Sequence, residues 1–413
     1  MRNRATFVIV GASMAGAKAA EALREEGFGG RVVLIGEEAH RPYSRLPLSK
    51  GYLQGTQDDD KIYVHVPGWY AGHEVDLRLG TPVTAIVRQD RQVELADGTR
   101  QRYDKLLLAT GSVARRIPNS DHDGVFYLRR LEDFHRLREA LSRHAHVVLV
   151  GGGWIGLEVA AAARHHGCEV TLIEPESAPL SRRFGPEIGG MFADLHREHG
   201  VDVRIGVGVK EVRPGPVVVT GTGEQFAGDV AVIGVGHRPA TELAEAAGLE
   251  VDDGIRVTAE LQTTRDPDIY AAGACTRADH PLYARPIRVE HWANALTGGL
   301  AAARSMLGEG KPYDRVPYFY SAQYDLELEC SGWLEPGSFA EVVYRGDRGK
   351  REFIAFWLDG EGRVLAGMNV NVWGVREPIQ QLIRSRAPVD RARLVDLAVP
   401  LEDLIPGVGR AQL

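Results

Sequence analysis

The chain has 413 residues, 44% hydrophobic and 25% charged, which suits two or three soluble globular domains with ample cores. Lysine plus arginine (49) fall short of aspartate plus glutamate (56), and the net charge of −7 excludes generic nucleic-acid binding while leaving room for local basic patches. Cys168, Cys275 and Cys330 lie far apart with no CxxC pair, so neither a disulfide framework nor a metal cluster is signalled.

No apolar run reaches the roughly 18 residues of a membrane span. Met1-Arg2-Asn3-Arg4 leads straight into a strand without a signal peptide, so the cytoplasm is the expected compartment. In chain order, residues 6–10 read as a buried strand, Gly11-Ala12-Ser13-Met14-Ala15-Gly16 as a tight turn, and residues 17–26 as an alanine-rich helix with Ala19, Ala22 and Leu23 on one face. This is the strand, turn and helix of a dinucleotide site: Gly11 permits the turn, Gly16 lets the helix close on the strand, and the helix N-terminus attracts phosphate. Ser13 stands where the pattern wants its second glycine, which crowds the backbone slightly but keeps a hydroxyl for phosphate. The next strand, 32–35, ends near Glu37, so Gly11, Ser13, Ala15, Gly16 and Glu37 are nucleotide-binding candidates.

The stretch Arg41-Pro42-Tyr43-Ser44-Arg45-Leu46-Pro47-Leu48-Ser49-Lys50 carries two prolines that forbid a regular helix. It reads as a shaped loop that brings Arg45 and Lys50 close to the first nucleotide, and its lack of cysteine argues against a dithiol relay. Short strands are expected at 76–79, 83–88, 92–95 and 105–109, with an Asp97-Gly98 turn, as a small inserted sheet closing at Ala109-Thr110-Gly111. Residues 129–146 read as a helix burying Leu131, Phe134, Leu137 and Leu141, its arginines a solvated face.

A second copy of the device follows. The apolar run 147–150 leads into Gly151, Gly153 and Gly156 and then a helix through Glu158 and Ala160, with Trp154 and Ile155 inside the turn. The strand 170–173 ends in Glu174, about 20 residues on, where a carboxylate can hold an adenosine ribose 2′-hydroxyl and repel a 2′-phosphate. This reads as an NADH site with NADPH disfavoured. Two such turns imply two dinucleotides, of which the first is most simply FAD. Beyond them the reading gives a helix at 191–199, strands at 201–204 and 229–235, a closing turn Gly234-Val235-Gly236-His237-Arg238-Pro239, and strands at 255–257 and 269–273. A helix at 292–306, strands at 326–331, 339–344, 353–358 and 364–370, and a helix at 378–384 complete the chain.

Taken together, Gly11 to Gly16, Arg41 to Lys50, Ala109-Thr110-Gly111, Gly151 to Glu158, Gly234 to Pro239, Thr263 to Gly273, Arg288 to Ala295 and Val316 to Asp325 resemble the oxygenase-coupled NADH:ferredoxin reductases. That family includes putidaredoxin reductase, rubredoxin reductase and biphenyl dioxygenase reductase, and apoptosis-inducing factor is related to it. The resemblance implies an α/β fold: two Rossmann-like dinucleotide-binding domains of the glutathione-reductase type and a C-terminal α+β interface domain. The implied boundaries are 1–112 and 240–318 for the FAD domain, 113–239 for the NADH domain and 319–413 for the interface domain.

The same resemblance implies that Lys50 pairs with Glu158 beside the flavin as the catalytic pair. Each group is costly to bury alone and offsets the other's desolvation, and a positive charge near the flavin N5 favours hydride arrival. Arg45, Thr110, Gly111, Gly236, Gly273, Ala274, Glu290, His291 and Trp292 are the further cofactor-binding candidates, the last two because the 292–306 helix would aim its dipole at the flavin pyrimidine. Tyr320 stands where relatives carry an aromatic residue at the flavin edge, and no metal is implied.

Three positions depart from the family pattern. Gly273-Ala274 replaces Gly-Asp, Ser321-Ala322-Gln323 replaces Ser-Asp-Gln, and Leu46 replaces a second proline. Ala274 cannot accept a hydrogen bond from the flavin ribityl chain, a loss of roughly 1.5–3 kcal/mol. The implied partner is an iron–sulfur ferredoxin serving a monooxygenase such as a cytochrome P450; Arg384, Arg386, Arg391 and Arg393 read first as a solvated face, with docking of its acidic surface as the alternative. Nucleic acid and membrane are not expected partners, and a monomer or homodimer is expected. An NADH oxidase acting on quinone or oxygen, and a slow-turnover redox-sensing protein, would use the same residues.

Overall fold

The computed structural model describes residues 5–143 and 145–407 and divides into two compact units. The first comprises residues 1–46, 59–113 and 237–315, and the second 47–58, 114–236 and 316–413.

The first unit is built on a five-stranded parallel sheet in the order Ile269–Ala271, Lys105–Leu108, Thr6–Val10, Arg31–Ile35, Val75–Arg78. Strands buried on both faces need continuous apolar runs, which is why TFVIV, RVVLI and KLLL look alike. Residues 76–79 and 105–109, expected in a small inserted sheet, belong instead to this large one, at its edge and near its centre. The inserted sheet is smaller: Val83–Val87, Gln92–Leu95 and Arg100–Arg102, all antiparallel. The helix Met14–Glu25 starts earlier than the periodicity predicts, because the last residues of the glycine turn already form its first turn. It packs against Trp292–Leu307 at a glycine contact: a Cβ on Gly299 would lie 2.2 Å from the Ala15 carbonyl oxygen.

The second unit repeats the device. Its parallel sheet runs Val201–Ile205, Glu169–Glu174, His146–Val150, Val230–Ile233, Val125–Phe126. The fingerprint helix here is Trp154–His165. Both fingerprint helices end alike, with Gly27 and Gly167 at positive φ. The next amides, of Phe28 and Cys168, donate to the carbonyls of Leu23 and Ala163 at 2.9 and 3.0 Å.

The expected helix 129–146 is shorter, Leu131–Leu141, because His146 already belongs to a strand and its amide donates to Asp229 at 2.8 Å. The helix expected at 191–199 begins at Pro186, where proline in the first turn sacrifices no hydrogen bond. The antiparallel sheet Val209–Arg213, Val217–Thr220, Gln225–Ala227 went unread in the sequence, as did the strand Tyr318–Gln323. That strand edges a five-stranded antiparallel sheet, followed by Leu326–Gly332, Val364–Val370, Glu352–Leu358 and Glu341–Asp347. Its core is aromatic. Trp357 is fully buried and its indole N–H donates to the Phe184 carbonyl at 3.0 Å. Among the described residues no helix is long and apolar enough to cross a membrane.

Candidate active site

In the first unit, Gly11 sits at φ +116, and a Cβ there would lie 2.1 Å from the Ala109 carbonyl oxygen. Gly16 is equally constrained, 2.0 Å from the Gly11 carbonyl oxygen on the same test. The Met14–Glu25 helix has no side-chain cap and no acidic residue in its first turn, so its leading amides present a positive end. Arg45 adds charge there, donating to the Ser13 hydroxyl and to Glu38 at 2.5 Å. Glu38, which the sequence reading passed over, also accepts from the Tyr43 hydroxyl, whereas Glu37 is exposed. Ala15 is buried against Gly273 and Gly299. Thr110 donates its hydroxyl to the Ala240 carbonyl at 2.6 Å, and Gly111 accepts from the Ala240 amide at 3.0 Å.

Gly273 (φ +85) and Ala274 follow the strand Ile269–Ala271, and the Thr276 hydroxyl caps the turn by donating to Gly273 at 2.7 Å. Ala274 is half-buried and contributes no acceptor. His291 caps the Trp292–Leu307 helix, its Nδ1 accepting the Ala293 amide at 3.4 Å. Glu290 is exposed and paired with Arg288. The Trp292 indole Nε1 is buried and has no hydrogen-bond partner among the described residues. An orphaned N–H of this kind costs about 1–3 kcal/mol unless a ligand accepts from it. Together with the bare helix end and Arg45, this donor-rich set fits a dinucleotide with a polar ring, as FAD has.

The second unit holds the other turn. Gly151 has φ +103 and Gly156 would clash with the Gly151 carbonyl at 2.1 Å, while a Cβ on Gly153 would meet nothing within 4 Å. That open side is where backbone can approach a pyrophosphate, and the helix beyond it again lacks a cap and acidic residues in its first turn. Glu174 is buried and clamps the turn, accepting the Gly152 amide at 2.5 Å and the Glu176 amide at 2.9 Å. Gly236 is exposed at φ +98. Ile155 is half-buried, and Trp154 packs its ring among Phe184, Phe192 and Phe319, which makes it a support for the turn.

Glu158, one turn into the fingerprint helix, is buried and engaged by three partners. Its side chain is 4% exposed and that of Lys50 12%, with Nζ to Oε2 at 2.9 Å. Ser49 donates to the same oxygen at 2.5 Å and Ser321 to Oε1 at 2.7 Å. A buried carboxylate is tolerable only when its lone pairs are occupied by a cation and good donors, and here they are. Sequence reasoning found Lys50 and Glu158 but missed Ser49, Gln323 and His196. The available signal was parity: Ser321 and Gln323 share one face of a strand. Tyr320, on the opposite face, has its hydroxyl pushed up to about 12 by burial and by the Glu327 carboxylate.

The pyridine nucleotide-disulphide oxidoreductase model matches residues 5–299, and the reductase C-terminal model matches 318–405. The chain is 40% identical to the anthranilate 1,2-dioxygenase system ferredoxin–NAD(+) reductase component of Burkholderia cepacia, over 97% of this chain and 99% of that one. It is 37% identical to putidaredoxin reductase of Pseudomonas putida, covering 98% of each. The crystal structure of the covalent putidaredoxin reductase–putidaredoxin complex superposes with a TM-score of 0.91 at 36% identity, covering 98% of this chain and 99% of that one.

The chain belongs to the ferredoxin–NAD(+) reductases of the pyridine nucleotide-disulphide oxidoreductase family. The family resemblance, the two-Rossmann fold class, the FAD-dependent oxidoreductase class and the FAD and NADH cofactors read from the sequence therefore stand. Cys168, Cys275 and Cys330 are all free and buried, and burial raises each thiol's pKa.

Proposed function

We propose that the protein transfers electrons from NADH through FAD to an iron–sulfur ferredoxin that supplies an oxygenase. Bound FAD supplies the chemistry, taking a pair of electrons from NADH and giving them up one at a time. The observation that carries the reading is the buried Lys50–Glu158 pair, its carboxylate on the helix after the second glycine turn and its ammonium at the end of the 41–50 loop, which costs too much desolvation to be kept as surface decoration. In this reading Lys50 presents fixed positive charge toward the reacting flavin, and Glu158, held by Ser49 and Ser321, keeps the lysine in place.

The first unit holds FAD through the Met14–Glu25 helix end, Ser13, Arg45 and the Trp292 indole. Its counterpart holds NADH through the turn from Gly151 to Gly156, with Glu174 disfavouring a 2′-phosphate. Residues 319–413 act as the interface domain and the protein works in the cytoplasm. Rapid mixing of the holoprotein with NADH, followed by ferredoxin-dependent cytochrome c reduction, tests the assignment. Fast flavin bleaching with ferredoxin turnover supports it. Bleaching with turnover only on quinone or oxygen rejects the acceptor, and no bleaching rejects the enzyme.

A further inference from the structure

The Glu158 carboxylate ends a line of polar groups that, beyond Ser321, the proposed chemistry does not use. Ser321 donates to Oε1 of Glu158 at 2.7 Å, and the Gln323 side-chain amide donates to the Ser321 oxygen at 3.3 Å. The Gln323 carbonyl oxygen lies 2.9 Å from Nε2 of His196, and Nδ1 of His196 lies 3.1 Å from the Tyr324 hydroxyl. Ser321, Gln323 and His196 are almost fully buried.

With the Gln323 oxygen facing His196 and its nitrogen facing Ser321, the direction of every bond in this line follows. An amide oxygen can only accept, so Nε2 carries the imidazole proton. Burial pushes the His196 pKa down to about 4, so near neutral pH the ring is uncharged, its Nδ1 accepts, and the Tyr324 hydroxyl donates. Each donor thus points toward Glu158, and bonds aligned in one sense polarise one another. The outer end is held at some cost. Tyr324 opens the two-residue hairpin between Tyr318–Gln323 and Leu326–Gly332 at φ +55, a conformation that glycine or asparagine adopts more cheaply. Its ring stacks on His199, centroids 3.7 Å apart, which fixes the hydroxyl over His196.

We propose that His196 is a positioning residue for the Lys50–Glu158 pair: Tyr324, His196, Gln323 and Ser321 form a one-way hydrogen-bond chain that fixes the Glu158 carboxylate against Lys50. This deepens the proposed role of Glu158 and rests on that reading for its relevance to turnover. The groups facing Glu158 are Lys50, Ser49 and Ser321, with Tyr320 nearby, and those facing His196 are Gln323, Tyr324 and His199.

The test uses the FAD-loaded full chain. The Glu158 carboxylate infrared band, assigned by its loss in Glu158→Gln, is compared between variants. Ser321→Ala sets the full effect, the displacement of that band when the hydrogen bond to Oε1 is lost. Gln323→Met keeps volume and adds no charge, and is expected to show a good part of that displacement. His196→Phe is expected to do the same, and Tyr324→Phe to show a smaller displacement in the same direction. A 15N spectrum of histidine-labelled protein is expected to place the His196 proton on Nε2. An unmoved carboxylate band in a folded Gln323→Met variant, or a proton on Nδ1, overturns the proposal. Should Gln323→Met not fold, Tyr324→Phe carries the test, and no shift there overturns it. Whether Glu158 matters to electron transfer is read separately, from NADH bleaching rates of Glu158→Gln, so the two failures are distinguishable.

Discussion

Glu158 accepts from a lysine and two serines, and that arrangement predicts unequal consequences for removing its partners. Lys50→Met leaves a buried carboxylate without its cation and is expected to destabilise the second unit by about 3 kcal/mol, because the serine donors remain. Combining it with Glu158→Gln removes the stranded charge and is expected to recover part of that loss. Denaturant unfolding of the two singles and the double forms the cycle that checks this. At Ala274, restoring an acceptor through Ala274→Asp is expected to tighten FAD binding about ten- to a hundredfold, measured by titrating the deflavinated protein. The pairing of Lys50 with Glu158 was legible only through the family resemblance, which the 2.9 Å contact matches. Ser49, Gln323 and His196 were not, since their meaning lies in hydrogen bonds between segments far apart in the chain.

At the level of elements, the Met14–Glu25 and Trp292–Leu307 helices touch through Gly299, where a methyl group would fall 2.2 Å from a backbone oxygen. Gly299→Ala is therefore expected to lower stability by about 1–3 kcal/mol and to loosen FAD, read from the melting temperature and flavin retention. The helix Pro186–Glu198 carries a pH signature through His196. Its pKa falls from 6.5 to about 4 in the folded state, so the unfolded chain binds that proton first as pH drops. The stabilisation is whole above about pH 6.5 and is lost progressively as pH falls toward 4, worth at most roughly 3 kcal/mol. His196→Phe is expected to flatten that part of the stability–pH curve relative to the parent.

Elements with one buried face or an unbroken apolar run were readable from periodicity, as the two fingerprint strands show. Sheet membership was not. The strands Val75–Arg78 and Lys105–Leu108 have the short runs of an inserted hairpin, and only their parallel partners reveal that they belong to the large sheet. The start of the first helix was hidden for the opposite reason, because glycine-turn and helix residues overlap at Met14 to Gly16.

For the whole molecule, the net charge of −7 coexists with exposed Arg384, Arg386, Arg391 and Arg393 in the C-terminal segment. If these arginines steer an acidic ferredoxin, turnover with ferredoxin will fall as salt rises while NADH bleaching stays constant, and charge reversal at Arg384 and Arg386 will remove most of that dependence. Equal salt sensitivity in parent and variant would count against this docking role.

The three cysteines lead to a practical difference from the thiol-using enzymes whose name the family carries. All three sulfur atoms are buried with their acidity suppressed, so little thiolate is presented to a reagent. Iodoacetamide should leave NADH-driven flavin bleaching intact, and peroxide should spare these side chains until the fold opens. The three cysteines thus offer little thiolate to an oxidant while the fold stays closed.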